Sequence, residues 1–233
     1  MPRGASEVFR PFSCYINHRL AIKISFSCIY VNFLVLLHTG MNMRYEKEDL
    51  QQALRVLREG GVILYPTDTI WGIGCDATNA EAVARVYQIK RRVDTKAMLV
   101  LLDGAGKLQG YMEKVPETAW MLLEAGSERP MTIIYPKAKN LAHNLVAEDG
   151  SVGIRITQEP FSKALCEQLR RPIVSTSANI SGEPAAKTFA QINPELLEAV
   201  DYVCLFRRDD TSAAKPSSII KVDEKERITI IRA

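Results

Sequence analysis

Apolar positions change their spacing along this chain, and each change marks an element. Between residues 46 and 60, Leu50, Ala53, Leu54 and Leu57 recur three or four apart, which places them on one face of a helix. Gly60-Gly61 ends it, since glycine readily takes the left-handed conformation past a helix end. Val62-Ile63-Leu64-Tyr65 is then a continuous apolar run closed by Pro66, the pattern of a buried strand. Thr67-Asp68-Thr69 and Gly72-Ile73-Gly74 read as the turn after it. Asn79 caps a helix to about residue 91, with Val83, Val86, Tyr87 and Ile89 inward.

The alternation continues downstream. A strand is predicted over 97–102, then two helices, the second opening at Pro116 as a first-turn proline. Strands follow at 131–135 and 152–156, a helix at 160–170, and a short strand through Ile173-Val174. A helix ends over 196–200, and late strands fall at 202–206, 218–222 and 228–231. The Asp223-Glu224-Lys225-Glu226 turn makes the last two an antiparallel hairpin. Strands alternating with helices early and dominating late predict an α/β (mixed α+β) fold. The expected architecture is one open twisted sheet of mixed parallel and antiparallel strands with flanking helices, over residues 43–233.

Composition changes this picture in one place. Of 233 residues, 47% are hydrophobic and 24% charged, ordinary for a globular chain. Residues 1–40 carry Arg3, Arg10, Arg19 and Lys23 against Glu7, while the remainder holds equal numbers of basic and acidic residues. The basic balance therefore belongs to the leader and is no argument for nucleic-acid binding by the body. Residues 1–42 are expected to be a non-native or disordered leader from an upstream start, with the protein proper opening at Met41 or Met43. None of the five cysteines forms a Cys-x-x-Cys pair, so reduced thiols and a cytoplasmic setting without a membrane are expected. Of three histidines, His18 and His38 lie in the leader, which leaves no material for a histidine metal cluster or a Ser-His-Asp triad. The chemistry must come from hydroxyls, amides and cations.

Those groups are concentrated in a few segments. Ser175-Thr176-Ser177-Ala178-Asn179-Ile180-Ser181-Gly182 leaves the carboxyl end of a strand, where open α/β sheets collect their ligands. So many hydroxyls suit an oxygen-rich ligand better than a core. Thr67-Asp68-Thr69 and Lys215-Pro216-Ser217-Ser218 have the same character. Lys90-Arg91-Arg92 with Lys96 supplies more cations than a helix end needs. Arg155 lies inside an apolar strand and demands an anionic partner, and Arg232 follows another apolar strand. Together they predict a cavity with hydroxyls in the middle and cations around it. There is no Gly-x-x-x-x-Gly-Lys phosphate loop and no Gly-x-Gly-x-x-Gly fingerprint.

Pro66 through Gly72, Lys90-x-Arg92, Val152 through Arg155, the octet 175–182, and Ser217-Ser218 through Arg232 resemble, in order, the YrdC-like family, which contains the threonylcarbamoyl-AMP synthases. The resemblance implies an open twisted sheet with a concave cavity, in a short form without an additional C-terminal domain. It implies a nucleotidyltransferase that joins L-threonine, bicarbonate and ATP into L-threonylcarbamoyl-AMP, with release of pyrophosphate, for tRNA modification. By motif, Thr69, Arg155, Ser175 and Ser217 would hold threonine, Arg155 pairing with its carboxylate. Arg92, Lys96, Ser151, Ser177, Asn179 and Arg232 would hold ATP, with Asn179 ordering the loop or a ligand group. Lys90, Arg92 and Arg155 would be catalytic, Lys90 neutralising phosphates. Mg²⁺ would be carried by ATP. Double-stranded RNA or tRNA, and a downstream tRNA threonylcarbamoyltransferase complex, are the implied partners. The chain departs from the family pattern at Val93, Ala97 and Leu101, the last at a position where some members place a threonine-contacting histidine, and has Trp71 where tyrosine is usual. Two alternatives stand beside this reading: a non-catalytic YrdC-like protein that binds RNA or a nucleotide, and carbamoyl-AMP formation in hydrogenase maturation.

Overall fold

The structure, a computed structural model, describes residues 47–92, 98–126, 129–212 and 216–233. The expected leader at 1–42 lies outside them, as do Val93, Lys96, Ala97 and Lys215. The first helix, α1, covers 47–58 among the described residues and buries Ala53, Leu54 and Leu57. Gly60 closes it with φ +81°.

Among the described residues, nine strands form one sheet. In chain order they are β1 (Ile63–Tyr65), β2 (Gly72–Gly74), β3 (Leu99–Leu102), β4 (Met131–Tyr135), β5 (Val152–Ile156), β6 (Ile173–Ser177), β7 (Tyr202–Val203), β8 (Ser218–Val222) and β9 (Ile228–Arg232). Their spatial order is β7-β1-β2-β6-β3-β5-β4-β8-β9. The pairs β1/β7, β3/β5 and β4/β8 are parallel and the others antiparallel. The fold is thus the mixed α/β open sheet expected. Further helices are α2 (Ala80–Ile89), α3 (Leu108–Tyr111), α4 (Glu117–Ala125), α5 (Pro160–Leu169) and α6 (Pro194–Ala199). Asn79 caps α2 as expected, its side chain accepting from the amides of Glu81 and Ala82. None of the helices is long and apolar enough to cross a membrane among the described residues.

Four expectations are corrected. Gly72-Ile73-Gly74 is not a turn but β2, paired on both sides by β1 and β6. Glycine is needed there for proximity: a Cβ on Gly74 would stand 2.1 Å from the Val174 carbonyl oxygen. Ser175, Thr176 and Ser177 do not leave the strand but belong to β6, because β2 and β3 pair with it from either side. Residues 204–206 do not extend β7, since the amides of Leu205 and Phe206 donate instead to the buried Asp49 carboxylate at 2.9 and 2.8 Å. Pro116 precedes α4 rather than opening it. The free amides of that helix's first turn are taken by Glu226 from the β8–β9 turn, Thr118 N donating at 2.9 Å.

Candidate active site

A cavity of about 380 Å³ opens over β6, β3, β5, β4 and β8 and is walled by the segment 67–72. Strand alternation explains its lining, because residues two apart face the same side. Ser175 and Ser177 of β6 share a face, as do Thr132 and Ile134 of β4, and all four line the cavity. Gly153 of β5 adds no side chain between its cross-strand neighbours Leu99 and Ile134, which leaves room in the floor.

Register brings distant residues together. One row across the sheet runs Leu101, Arg155, Thr132, Ile219, Arg232. Two guanidiniums 77 positions apart in the sequence therefore stand in one line, about 15 Å apart by backbone at three strand spacings. Between them, Thr132 Oγ1 and Ser217 Oγ lie 2.9 Å apart. Arg232 Nε donates to the Ser217 carbonyl at 2.8 Å, and its Nη2 lies 3.4 Å from Ser217 Oγ. The Ser217 hydroxyl thus sits between Thr132 and Arg232.

Arg155 is 3% exposed in its side chain and pairs with Asp68, Nε to Oδ1 at 3.1 Å. Neither atom is in an aligned hydrogen bond, so the pair is held by charge. Burial pulls the Arg155 pKa down and the Asp68 charge pushes it back; arginine stays protonated through such shifts. On the other side of the cavity, Arg91 takes φ +49° after α2 and turns the chain so that Arg92 enters. Its Nη1 lies 3.4 Å from Thr176 Oγ1. Thr69 receives a fixed position from Thr67, whose Oγ1 accepts from Thr69 N at 3.1 Å. The Ser151 hydroxyl donates to Asp149 Oδ1, and Asp149 in turn pairs with Lys221 at 2.8 Å. Lys221 first, then Ser151, hold the Asp149 carboxyl down at about 2.

The cavity therefore gathers Thr69, Arg92, Ser151, Arg155, Ser175, Ser177, Ser217 and Arg232 from the residues singled out in the sequence. Three others stand apart. Lys96 is outside the described residues. Asn179 does not line the cavity; its Nδ2 donates to the carbonyls of Ile180 and Glu183 at 3.0 and 2.7 Å, ordering its own loop. Lys90 was expected among phosphates but is 2% exposed, and its ammonium donates to the carbonyls of Ser177 and Asn179. Lys90 caps the end of α2 and meets the backbone of the octet, its ammonium taken up by those two carbonyls. Leu101, buried beside Arg155 in the row, is not among the residues that line the cavity. Thr67 and Thr132 line the cavity without having been singled out as site residues. The signal for Thr132 was its place in the alternation of Met131-Thr132-Ile133-Ile134-Tyr135, a hydroxyl on an otherwise apolar strand.

The strand-floored cavity thus has hydroxyls at its centre and arginines around it, groups with which a small polyanion could pair. Residues 55–233 match the family of Sua5, YciO and YrdC, described as Telomere recombination, and the chain belongs to that family. A threonylcarbamoyl-AMP synthase of Pseudoalteromonas translucida is 32% identical over 159 residues, covering 67% of this chain and 85% of the relative. One from Xanthomonas campestris is 35% identical over 165 residues, covering 66% and 84%. Among solved structures, Escherichia coli YciO superposes with a TM-score of 0.69 at 25% identity, over 78% of this chain and 87% of its own.

Proposed function

We infer that this protein joins L-threonine, bicarbonate and ATP into L-threonylcarbamoyl-AMP, releasing pyrophosphate, and so supplies the modification of tRNA. The observation that carries this is the row from Arg155 to Arg232 through the Thr132–Ser217 hydroxyl pair, which offers two separate anion sites joined by hydroxyls. Curated relatives of the chain carry that enzyme's name.

In this reading Arg155 takes the threonine carboxylate, with Thr69, Ser175 and Ser217 around the amino acid. Arg92, Arg232, Ser151 and Ser177 take the nucleotide. The neutral threonine amine adds to bicarbonate, losing water, and forms a carbamate. A carbamate oxygen then attacks the α-phosphorus, and the bond to the β-phosphate oxygen breaks to release pyrophosphate. No strong side-chain base is required. The guanidiniums offset charge that grows on the departing pyrophosphate, and the hydroxyls hold the two substrates in line. Mg²⁺ would enter with its substrate as MgATP. The product would pass to a tRNA threonylcarbamoyltransferase complex.

The test is isotopic. Full-length protein given ¹³C-bicarbonate, threonine and MgATP is expected to yield an AMP-linked product that carries both the ¹³C carbon and threonine. An adenylate lacking the labelled carbon would mean direct activation of the amino acid carboxylate instead.

A further inference from the structure

Lys90 ties together two segments that the proposed reaction needs side by side. Its Nζ lies 2.5 Å from the Ser177 carbonyl oxygen and 2.6 Å from that of Asn179. Its own carbonyl accepts from Ser181 N at 3.0 Å, and Asn179 N donates back to the Ser177 carbonyl at 2.8 Å. The chain after β6 is thus curled around one ammonium group. A charge with 2% exposure is tolerable only where acceptors surround it, and two converging carbonyls do this.

The consequence reaches the cavity from both ends. Ser177 lines it with its side chain while its carbonyl is held from behind. Arg92 follows Lys90 by two residues and touches Thr176 Oγ1 on the same strand. We propose that Lys90 is a positioning residue: its ammonium, clasped by the Ser177 and Asn179 carbonyls, fixes the segment bearing Ser177 against the segment bearing Arg92, and makes no contact with phosphate. The inference rests on the proposed function, in which Arg92 and Ser177 hold the nucleotide.

The experiment compares wild-type and Lys90→Met full-length protein in calorimetric titrations with ATP and with AMP. A clasp that positions the site weakens both nucleotides by a similar factor, about tenfold or more. Backbone amides 178–181 also exchange faster in the ligand-free variant while those of α5 do not. A phosphate contact instead weakens ATP and leaves AMP unchanged, which overturns the proposal. A merely structural lysine lowers the melting temperature and raises exchange everywhere with both affinities intact, which overturns it equally. If Lys90→Met does not fold, the ¹⁵N ammonium resonance of Lys90 in the wild type decides. Nuclear Overhauser contacts to Ser177 and Asn179 that persist on adding ATP support the clasp, and their loss refutes it. Wild-type protein that binds ATP but releases no pyrophosphate with threonine sinks the proposed reaction and still leaves the Lys90 comparison readable.

Discussion

Arg155 Nε stands 3.1 Å from Asp68 Oδ1, the arginine buried and the aspartate half-buried, yet the two atoms do not form an aligned hydrogen bond. The carboxylate neutralises the guanidinium's charge without using its donors well. An incoming carboxylate can therefore gain bidentate hydrogen bonds that Asp68 does not supply. In steady-state assays Arg155→Met should raise the KM for threonine by about 100-fold or more, the worth of about 3 kcal/mol in a buried charged contact. Arg155→Lys should recover little, since an ammonium lacks the planar fork. A KM for threonine unchanged in Arg155→Met would assign Arg155 to structure alone.

Thr132 is the next position to change. Its hydroxyl sits 2.9 Å from that of Ser217, which in turn lies 3.4 Å from Arg232 Nη2. Thr132→Val keeps the shape and removes the polar partner. We expect kcat/KM to fall about tenfold, near the 1–1.5 kcal/mol worth of one hydrogen bond, and Thr132→Ser to restore it. Equal activity in Thr132→Val would separate the hydroxyl pair from catalysis.

Two glycines should behave in opposite ways. Gly74→Ala places a methyl 2.1 Å from the Val174 carbonyl oxygen, and backbone cannot yield as a side chain tip does. A loss of about 3 kcal/mol or more, or failure to fold, is expected from such overpacking. Gly110 lies inside α3 with nothing within 4 Å of a Cβ, so Gly110→Ala should stabilise by about 0.5–1 kcal/mol through helix propensity. Urea denaturation of both variants checks the pair; similar changes in the two would remove proximity as the reason for Gly74.

Lys90 carries a pH signature. Burial first, then the Arg92 charge, hold its pKa at about 8, below the ordinary 10.5. Between those values the unfolded chain binds more protons than the folded one, so stability contributed by this residue rises with pH across that window. Below about pH 8 both states keep the proton and the contribution is constant. The unfolding free energy of wild type minus that of Lys90→Met should climb by about 3 kcal/mol between about pH 7 and pH 10.5. A flat difference in denaturant titrations across that range would contradict the depressed value.

Legibility followed the range of the interaction that decides each feature. Asn79 announced α2 because capping is local, and its side chain takes the amides two and three residues on. Arg155 was conspicuous because an arginine in an apolar strand has no local excuse. Gly72-Ile73-Gly74 misled because glycine locally means a turn, while its purpose here is the approach of Val174 from a strand a hundred residues later. Thr132 was faint for a similar reason: its hydroxyl on an apolar strand is visible in the sequence, but it gains meaning only from its register with Arg155 on β5 and its contact with Ser217. For Lys90 the resemblance through Lys90-x-Arg92 implies a phosphate role, and its two partner carbonyls, 87 and 89 positions away, are not legible in the sequence.

Pyrophosphate release by the full-length protein tests the central claim most directly. With MgATP and bicarbonate present, release is expected only when L-threonine is added, among single amino acids tried in turn, and is expected to vanish when bicarbonate is removed. Release that ignores the amino acid, or tight RNA binding with no turnover on any amino acid, would contradict it.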